Sequence, residues 1–263
     1  MAEPQGGREW AEALFHRSVL KQRKLAEIVD VLGPTAGLRC LDLGSDNGVV
    51  SLLLRERGGS WASGDLTGEA VGSIRSLVGE DVHLVRGDSL PFPDASFDRV
   101  AVVDMLEHVP DEAAFAAELA RVTKPGGLLV VNTPHLKRTA LRRLRHALGQ
   151  TDEKHGHLRP GYTPERLTAL LSPGFALEQH RTYSRFFSEA VDTALNWGLE
   201  RAGKKSSAKG MVVTAGDLAR HRKTYRAYAT VYPIVWLVTR LDALVPASGY
   251  MLIAAFRRRG RLL

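Results

Sequence analysis

The sequence has a single cysteine, Cys40, among its 263 residues. One thiol allows no internal disulfide and no cysteine-based zinc cluster, so we expect a reducing cytoplasm. Long hydrophobic runs are also lacking. The longest apolar stretch, Tyr228 to Val238, is interrupted by Pro233 and is shorter than the roughly 20 residues that a spanning helix needs. The first residues show no basic segment followed by an apolar core, so we expect no secretory signal and a soluble or peripheral protein.

The charge balance favours an anionic partner. The formal net charge is +7 and the pI is about 9.7. Such a balance suits nucleic acid, a nucleotide cofactor or an acidic membrane surface, and it does not choose among them. With 44% hydrophobic residues, the chain can bury one sizeable core, which predicts a single domain with additions.

Short apolar runs alternate with amphipathic segments over residues 37–134, as in "LRCLDL", "VVSLLLRER", "VHLVRGD" and "FDRVAVVD". This rhythm predicts an α/β fold, a doubly wound, mostly parallel sheet with helices on both faces. The segments around it are predicted as parts of the same domain over residues 1–263. They are an N-terminal helical cap (1–36, with one helix from Arg8 to Leu32), the core of the sheet (37–134), further helices and a strand (135–182), a helical insertion (183–248), and the last strand with a basic tail (249–263).

The stretch "CLDLGSDNG" ends a predicted strand and begins a tight turn. Asp42 closes the apolar run, and Gly44 and Gly48 allow the backbone to turn and approach a ligand without a Cβ clash. Asp46 stands where nucleotide-binding loops usually carry another glycine. Because Asp tolerates the left-handed conformation better than most residues, we expect the turn to form.

Acids follow the other predicted strands as well. Asp65 lies 23 residues after Asp42, near the spacing at which a carboxylate can hydrogen-bond ribose hydroxyls, and Asp88 and Asp104 follow the next two strands. Each acid alone could be a helix cap or part of a solvated turn. The carboxyl ends of strands in such a sheet face one crevice, so four acids with a glycine turn indicate a cofactor site.

The segments "LDLGSDNG", "GDSLPFPDASFDRV", "DMLEHVPD" and "ELARVTKPGGLLVVNTP" occur in this order. Together they resemble class I S-adenosylmethionine-dependent methyltransferases, in the small-molecule and lipid branch that includes quinone-biosynthesis enzymes. The resemblance implies a Rossmann-like, seven-stranded sheet, S-adenosyl-L-methionine as cofactor, and methyl transfer, expected on oxygen, to a small-molecule or lipid-like acceptor. A divalent metal is not expected.

The same resemblance implies a set of cofactor-binding residues. They are Asp42, Gly44, Ser45 and Gly48 around the methionine portion, Asp65 and Leu66 at the ribose, Asp88 and Ser89 at the adenine, and Asp104 and Met105 near the sulfonium. A NAD(P)-binding oxidoreductase is less favoured, because no third glycine completes a pyrophosphate loop and Asp42 would repel a phosphate. A non-catalytic binding protein is disfavoured by the intact acids and glycines.

The expected chemistry is a displacement, in which alignment of acceptor and methyl group supplies much of the rate. A hydroxyl acceptor often also needs a base, and His108 with its neighbour Glu107 is the predicted catalytic pair. The pair could instead brace the following turn. Asp104, Glu107 and His108 could also hold a cation, but related ubiquinone-pathway enzymes usually have Glu at the first of these positions, so the metal site is only a weak candidate.

The acceptor side is predicted from the additions to the sheet. His155, His157 and Tyr162 lie on a loop where related enzymes place an acceptor-side lid, and they are candidate substrate contacts. Basic residues adjoin the aromatic run "YATVYPIVWLV", which suits a lipid-like acceptor or an anionic membrane surface and is equally compatible with ordinary core. RNA is a less favoured acceptor, because no RNA-binding module is evident. The acceptor atom and the oligomeric state stay open.

Overall fold

The computed structural model describes residues 7–137, 139–151, 156–201 and 218–260. Within them one sheet has the strand order β3-β2-β1-β4-β5-β7-β6, and only β7 runs antiparallel to its neighbours β5 and β6. The predicted seven-stranded, mostly parallel sheet is therefore confirmed. The strands are β1 (Arg39–Leu43), β2 (Ser60–Asp65), β3 (Val82–Leu84), β4 (Phe97–Val103), β5 (Thr123–Pro134), β6 (Phe175–Tyr183) and β7 (Met251–Arg258).

The strand order reverses beside β1, which pairs in parallel with β2 on one side and β4 on the other. In open α/β sheets, ligands bind at such a switch point, outside the carboxyl ends of the strands. Cys40, Leu41 and Leu43 of β1 are fully buried, as expected for a strand that is covered on both faces. Burial raises the pKa of the Cys40 thiol to about 12, so this cysteine behaves as a small apolar side chain.

Helices cover both faces of the sheet. Phe115 and Leu167 belong to the core on one face, and Ile28 and Leu54 belong to the core on the other. The helices are α1 (Gly7–Phe15), α2 (Val19–Leu32), α3 (Val49–Arg55), α4 (Gly68–Val78), α5 (Glu112–Val122), α6 (Ala140–Ala147), α7 (Pro164–Leu171), α8 (Phe186–Arg201) and α9 (Leu218–Arg240).

The prediction of one N-terminal helix from Arg8 to Leu32 is wrong, because the segment forms two helices, α1 and α2. The chain leaves the helix after Phe15 and starts again at Val19, and the Ser18 hydroxyl accepts a hydrogen bond from the Lys21 N–H at 3.4 Å. A serine side chain that bonds the backbone in this way starts a helix rather than continuing one. The apolar spacing continued across the break, so periodicity alone could not reveal it.

The insertion between β6 and β7 is helical, as predicted, in its described part. It contains α8, α9 and a 3-10 turn at Leu241–Leu244. Asp242 in this turn accepts hydrogen bonds from the N–H groups of Arg185 and Phe187 at 2.7 and 2.8 Å, so it caps the start of α8. Across the described residues, none of the helices combines the length and the apolar character required to cross a membrane.

Candidate active site

The loop after β1 has the backbone that its glycines predicted. Gly44 has φ of 85°, and a Cβ there would overlap the carbonyl oxygen of Val103. Gly48 has φ of 83° at the start of α3, and its Cβ would lie 2.7 Å from Cα of Ile74. Asp46 adopts the left-handed conformation with φ of 56°, as expected. Neither glycine can be replaced without moving the neighbouring backbone.

Asp42 is fully buried beneath this loop and is surrounded by donors. Its carboxylate accepts hydrogen bonds from the hydroxyls of Ser45 and Ser51, both at 2.5 Å, and from Ser63 at 2.7 Å. Arg55 lies 3.3 Å away and supplies the opposite charge. This arrangement ties the loop to α3 and β2. It favours a supporting role for Asp42 and Ser45 over direct cofactor contact.

Asp65 ends β2 and faces the same loop. Its Oδ2 accepts a long hydrogen bond, 3.4 Å, from the N–H of Asp46. Burial raises the pKa of Asp65 to about 6, because the carboxylate is partly removed from water. Such an acid gains from additional donors, and a ribose diol offers two. Leu66, the next residue, packs against the core and fixes the direction of the chain here.

Asp88 and Ser89 lie on an exposed turn after β3. The segment is anchored at Leu90, whose N–H donates to Glu118 at 2.8 Å. Glu118 is in turn held by the guanidinium of Arg121, whose Nε lies 2.6 Å from Oε1. The two predicted adenine-binding residues therefore lie on an exposed turn whose end is fixed.

Asp104 follows β4 directly and has the left-handed φ of 46°, a conformation that costs energy for a residue other than glycine. Its Oδ1 accepts a hydrogen bond from Asn132 at 2.7 Å, and Oδ2 pairs with the ammonium of Lys24 on α2. The Tyr183 hydroxyl donates to the side-chain oxygen of Asn132 at 2.5 Å. Met105 is buried beside this group. The carboxylate at the predicted sulfonium position is thus held from two elements, α2 and β5, and β6 supports it indirectly through Asn132.

Lys24 is a site residue that the sequence did not reveal. Burial alone would lower its pKa, but the nearby carboxylates, chiefly that of Asp104, together outweigh that effect and raise it, so the ammonium stays charged. In the sequence this residue belongs to "KQRK" on an amphipathic helix, which resembles any solvated helix face. Only the tertiary fold brings it to Asp104, 80 residues along the chain.

The predicted catalytic pair lies on a 3-10 turn just past Asp104. His108 makes a 2.8 Å hydrogen bond from Nδ1 to the carbonyl oxygen of Gly156. Because a carbonyl oxygen only accepts, Nδ1 carries the proton, and in the neutral ring Nε2 carries the lone pair. Glu107 is buried, and the Thr133 hydroxyl donates to its Oε2 at 3.2 Å. His108 thus has the tautomer that a general base requires.

His157 joins this pair from the loop after α6. Its ring meets that of His108 edge to face with centroids 4.8 Å apart. Glu107, His108 and His157 each offer a ligand atom within 4.8 Å of the others, whereas Asp104 is engaged by Lys24. Among the described residues, this trio therefore replaces the predicted set of Asp104, Glu107 and His108 as the group that could hold a cation.

The loop that carries His157 crosses the 3-10 turn. The N–H of Leu158 donates to the carbonyl oxygen of Glu107 at 3.0 Å. Tyr162 is fully buried, and its hydroxyl donates to Glu112 at 2.7 Å, which favours a structural role over substrate contact. His155, the other predicted acceptor-side residue, lies outside the described residues.

The part of the chain that contains this site is similar in sequence to known methyltransferases. A family model described as a methyltransferase domain matches residues 41–131. The demethylmenaquinone methyltransferase of Mycobacterium sp. (strain KMS) is 39% identical over 107 residues, which cover 40% of this chain and 45% of that protein. The ubiquinone biosynthesis O-methyltransferase of Xylella fastidiosa (strain 9a5c) is 37% identical over 106 residues, covering 38% and 43%. The chain thus matches less than half the length of these relatives.

Solved structures share the fold over most of the chain. The geranyl diphosphate C-methyltransferase from Streptomyces coelicolor A3(2), crystallised with Mg²⁺, geranyl diphosphate and S-adenosyl-L-homocysteine, has a TM-score of 0.58 at 14% identity, covering 98% of this chain and 84% of that one. The cyclase SpnF has a TM-score of 0.60 at 18% identity, covering 91% and 82%. At such identities the likeness concerns the fold alone.

Residues 41–131 match the model of a methyltransferase domain, which agrees with the resemblance carried by the sequence motifs. The curated relatives of the chain include methyltransferases named for menaquinone and ubiquinone biosynthesis.

Proposed function

We propose that this protein is an S-adenosylmethionine-dependent methyltransferase that methylates a small-molecule or lipid-like acceptor on oxygen. The observation that carries the proposal is the crevice beside β1. There a glycine loop, the acid of β2 and the fixed carboxylate of Asp104 converge next to a histidine with base geometry. A quinone-like acceptor is supported by the similarity to methyltransferases named for menaquinone and ubiquinone biosynthesis.

The residues of the crevice fit this cofactor. Asp65 would accept hydrogen bonds from both ribose hydroxyls, and the carboxylate of Asp104 would lie near the sulfonium. The loop of Gly44 and Gly48 leaves the backbone room that a methionine portion needs. A pyrophosphate would meet the carboxylates of Asp46 and Asp65 instead of an open row of N–H donors, which disfavours a dinucleotide.

The bound cofactor would supply an electrophilic methyl group on sulfur. His108 would take the proton of the acceptor hydroxyl at Nε2 as the new carbon–oxygen bond forms, and the electron pair of the broken sulfur–carbon bond would return to sulfur. The buried carboxylate of Glu107 lies beside the imidazole and would stabilise the imidazolium. Lys24, held at Asp104, would place a positive charge near the developing oxyanion.

Isothermal titration calorimetry with S-adenosylmethionine and with NADH tests the proposal. We expect saturable binding of S-adenosylmethionine and of its demethylated product, because the carboxylates of the crevice suit a cation and a diol. NADH should give no heat above dilution. Binding of NADH alone would refute the proposal. Salt-dependent binding of RNA, together with methylation of RNA, would instead identify RNA as the acceptor.

Replacing Asp65 by alanine should weaken binding of S-adenosylmethionine by about 1–3 kcal/mol, because charge-assisted hydrogen bonds to the ribose are lost. The affinity for S-adenosylmethionine should also depend on pH in a definite direction. With a pKa of about 6, Asp65 is ionised above that pH and protonated below it, so the affinity of the wild type should fall as the pH drops through 6.

Asp65→Asn is the matched control for this pH effect, since the amide has similar size but does not titrate. Its affinity should be weak and should lose the step near pH 6 in calorimetric titrations. An unchanged affinity in Asp65→Ala, or the same step in Asp65→Asn, would remove Asp65 from the ribose site.

A further inference from the structure

The outer side of α9 and the following 3-10 turn carry a row of exposed apolar residues. Their spacing of three, three, four and three positions places them along one side of the helix and turn. Three of them are more than half exposed, Ile234 at 65%, Leu237 at 60% and Leu244 at 77%. We call this row the α9 stripe; it consists of Val231, Ile234, Leu237, Leu241 and Leu244.

A different side of α9 attaches to the rest of the molecule. The helix contacts α2 and α8, and the guanidinium of Arg17 lies over the ring of Tyr232 at 5.7 Å. The turn after α9 is fixed to α8 by the hydrogen bonds of Asp242. The α9 stripe is therefore held in place by packing elsewhere on the helix, and the described part of the chain leaves it exposed to solvent.

The charge of α9 has one sign. The helix contains five Lys and Arg residues and no Asp or Glu. The guanidinium of Arg240 lies over the ring of Trp236 at 3.9 Å, and Arg226 is exposed. Apolar side chains beside cations are the pattern of helices that lie in the headgroup zone of an anionic bilayer.

A second copy of the chain fits this surface less well. A two-fold interface would bring the same patch of both copies together, so the exposed Arg226 and Arg240 of one copy would approach those of the other, and α9 contains no acid to compensate them. Like charges at an interface disfavour association. An anionic lipid surface, in contrast, matches both the apolar row and the charge.

We propose that the α9 stripe docks this protein on an anionic phospholipid bilayer as a peripheral surface. The helix would lie in the plane of the membrane, with the stripe in the interfacial region. Because α9 packs on α2, and α2 carries the Lys24 that pairs with Asp104, docking brings the acceptor side near the lipid. This last consequence rests on the proposed function, whereas the docking itself does not.

Co-sedimentation with vesicles tests the docking. The wild type should sediment with vesicles of phosphatidylcholine and phosphatidylglycerol, and less with phosphatidylcholine alone or at high salt. Ile234→Ser combined with Leu237→Ser should lower the partition coefficient at least about tenfold, because two exposed apolar anchors are lost. Leu84→Ser, at a residue 57% exposed on the edge strand β3, is the matched control and should partition like the wild type.

Two results would overturn the inference. One is equal sedimentation of the double variant and the wild type. The other is a wild type that binds neither kind of vesicle but sediments as a dimer in analytical ultracentrifugation, with the double variant monomeric, which would assign the stripe to self-association. Calorimetry with S-adenosylmethionine on the double variant should match the wild type, so failure of the docking and failure of the methyltransferase proposal remain distinguishable.

Discussion

Replacing His108 by alanine is expected to lower the turnover number by about 10²–10⁴-fold, the range typical of a lost general base. The hydrogen bond from Nδ1 to the carbonyl oxygen of Gly156 sets the tautomer that leaves the lone pair on Nε2. His108 lies on the 3-10 turn that follows Asp104. The affinity for S-adenosylmethionine should change little, since the predicted cofactor contacts lie elsewhere. Single-turnover kinetics with a quinol acceptor, together with calorimetry of the cofactor, measures the two quantities separately.

His108→Asn separates catalysis from bracing. An asparagine side chain keeps a donor close to the position of Nδ1, so the bond to the Gly156 carbonyl can persist, but it has no basic Nε2. If His108 is a base, the His108→Asn variant should be nearly as inactive as His108→Ala, while the melting temperature of His108→Asn stays close to that of the wild type. If His108 only braces the turn, Asn should restore activity and Ala should mainly lower the melting temperature.

Replacing Asp42 by alanine is expected to destabilise the protein by about 3–5 kcal/mol, because the partly buried guanidinium of Arg55 loses its counter-charge and three buried hydroxyls lose their acceptor. For a chain of this size the melting temperature should fall by roughly 10 °C. Thermal unfolding followed by circular dichroism measures the change. Weaker cofactor binding should follow from loss of the loop geometry, not from a lost ligand contact.

The pair of Asp42 and Arg55 allows a double-mutant cycle. Asp42→Ala with Arg55→Met removes both charges and should recover part of the stability lost in the single variants, since an unpaired buried charge costs more than a missing pair. A single Asp42→Ala variant with unchanged stability and a weakened cofactor affinity would contradict this view and restore the direct contact predicted from the sequence.

The sequence predicted those parts of the fold that depend on neighbouring residues. Apolar periodicity identified the strands, and it correctly placed Asp65 at the end of β2 and Asp104 directly after β4. The left-handed backbone of Asp46 was also predictable, because it follows from the conformational preference of one residue type. Local patterns therefore predicted where these carboxylates lie in the fold, and their contact with a cofactor stays a prediction.

The acceptor side depends on contacts between distant residues, which no local pattern encodes. Lys24 reaches Asp104 across 80 residues, and His108 meets the carbonyl of Gly156 across 48. Tyr162 was predicted as a substrate contact from its place in a loop motif, whereas the fold buries it against the core. The prediction of one N-terminal helix failed for the opposite reason, because the strictly local bond of Ser18 interrupted a pattern that continued beyond it.

The position of β7 has a consequence for the order of folding during synthesis. This strand lies between β5 and β6, so β6 has no neighbour in the sheet until residues 251–258 have left the ribosome. Strands β1 to β5 can pair with one another earlier, because each of them has at least one partner among residues 39–134, and only the pairing of β5 with β7 must wait. The strand ends that carry the predicted cofactor-binding residues can therefore form while the chain is still growing, and Tyr183 of β6 reaches Asn132 only afterwards.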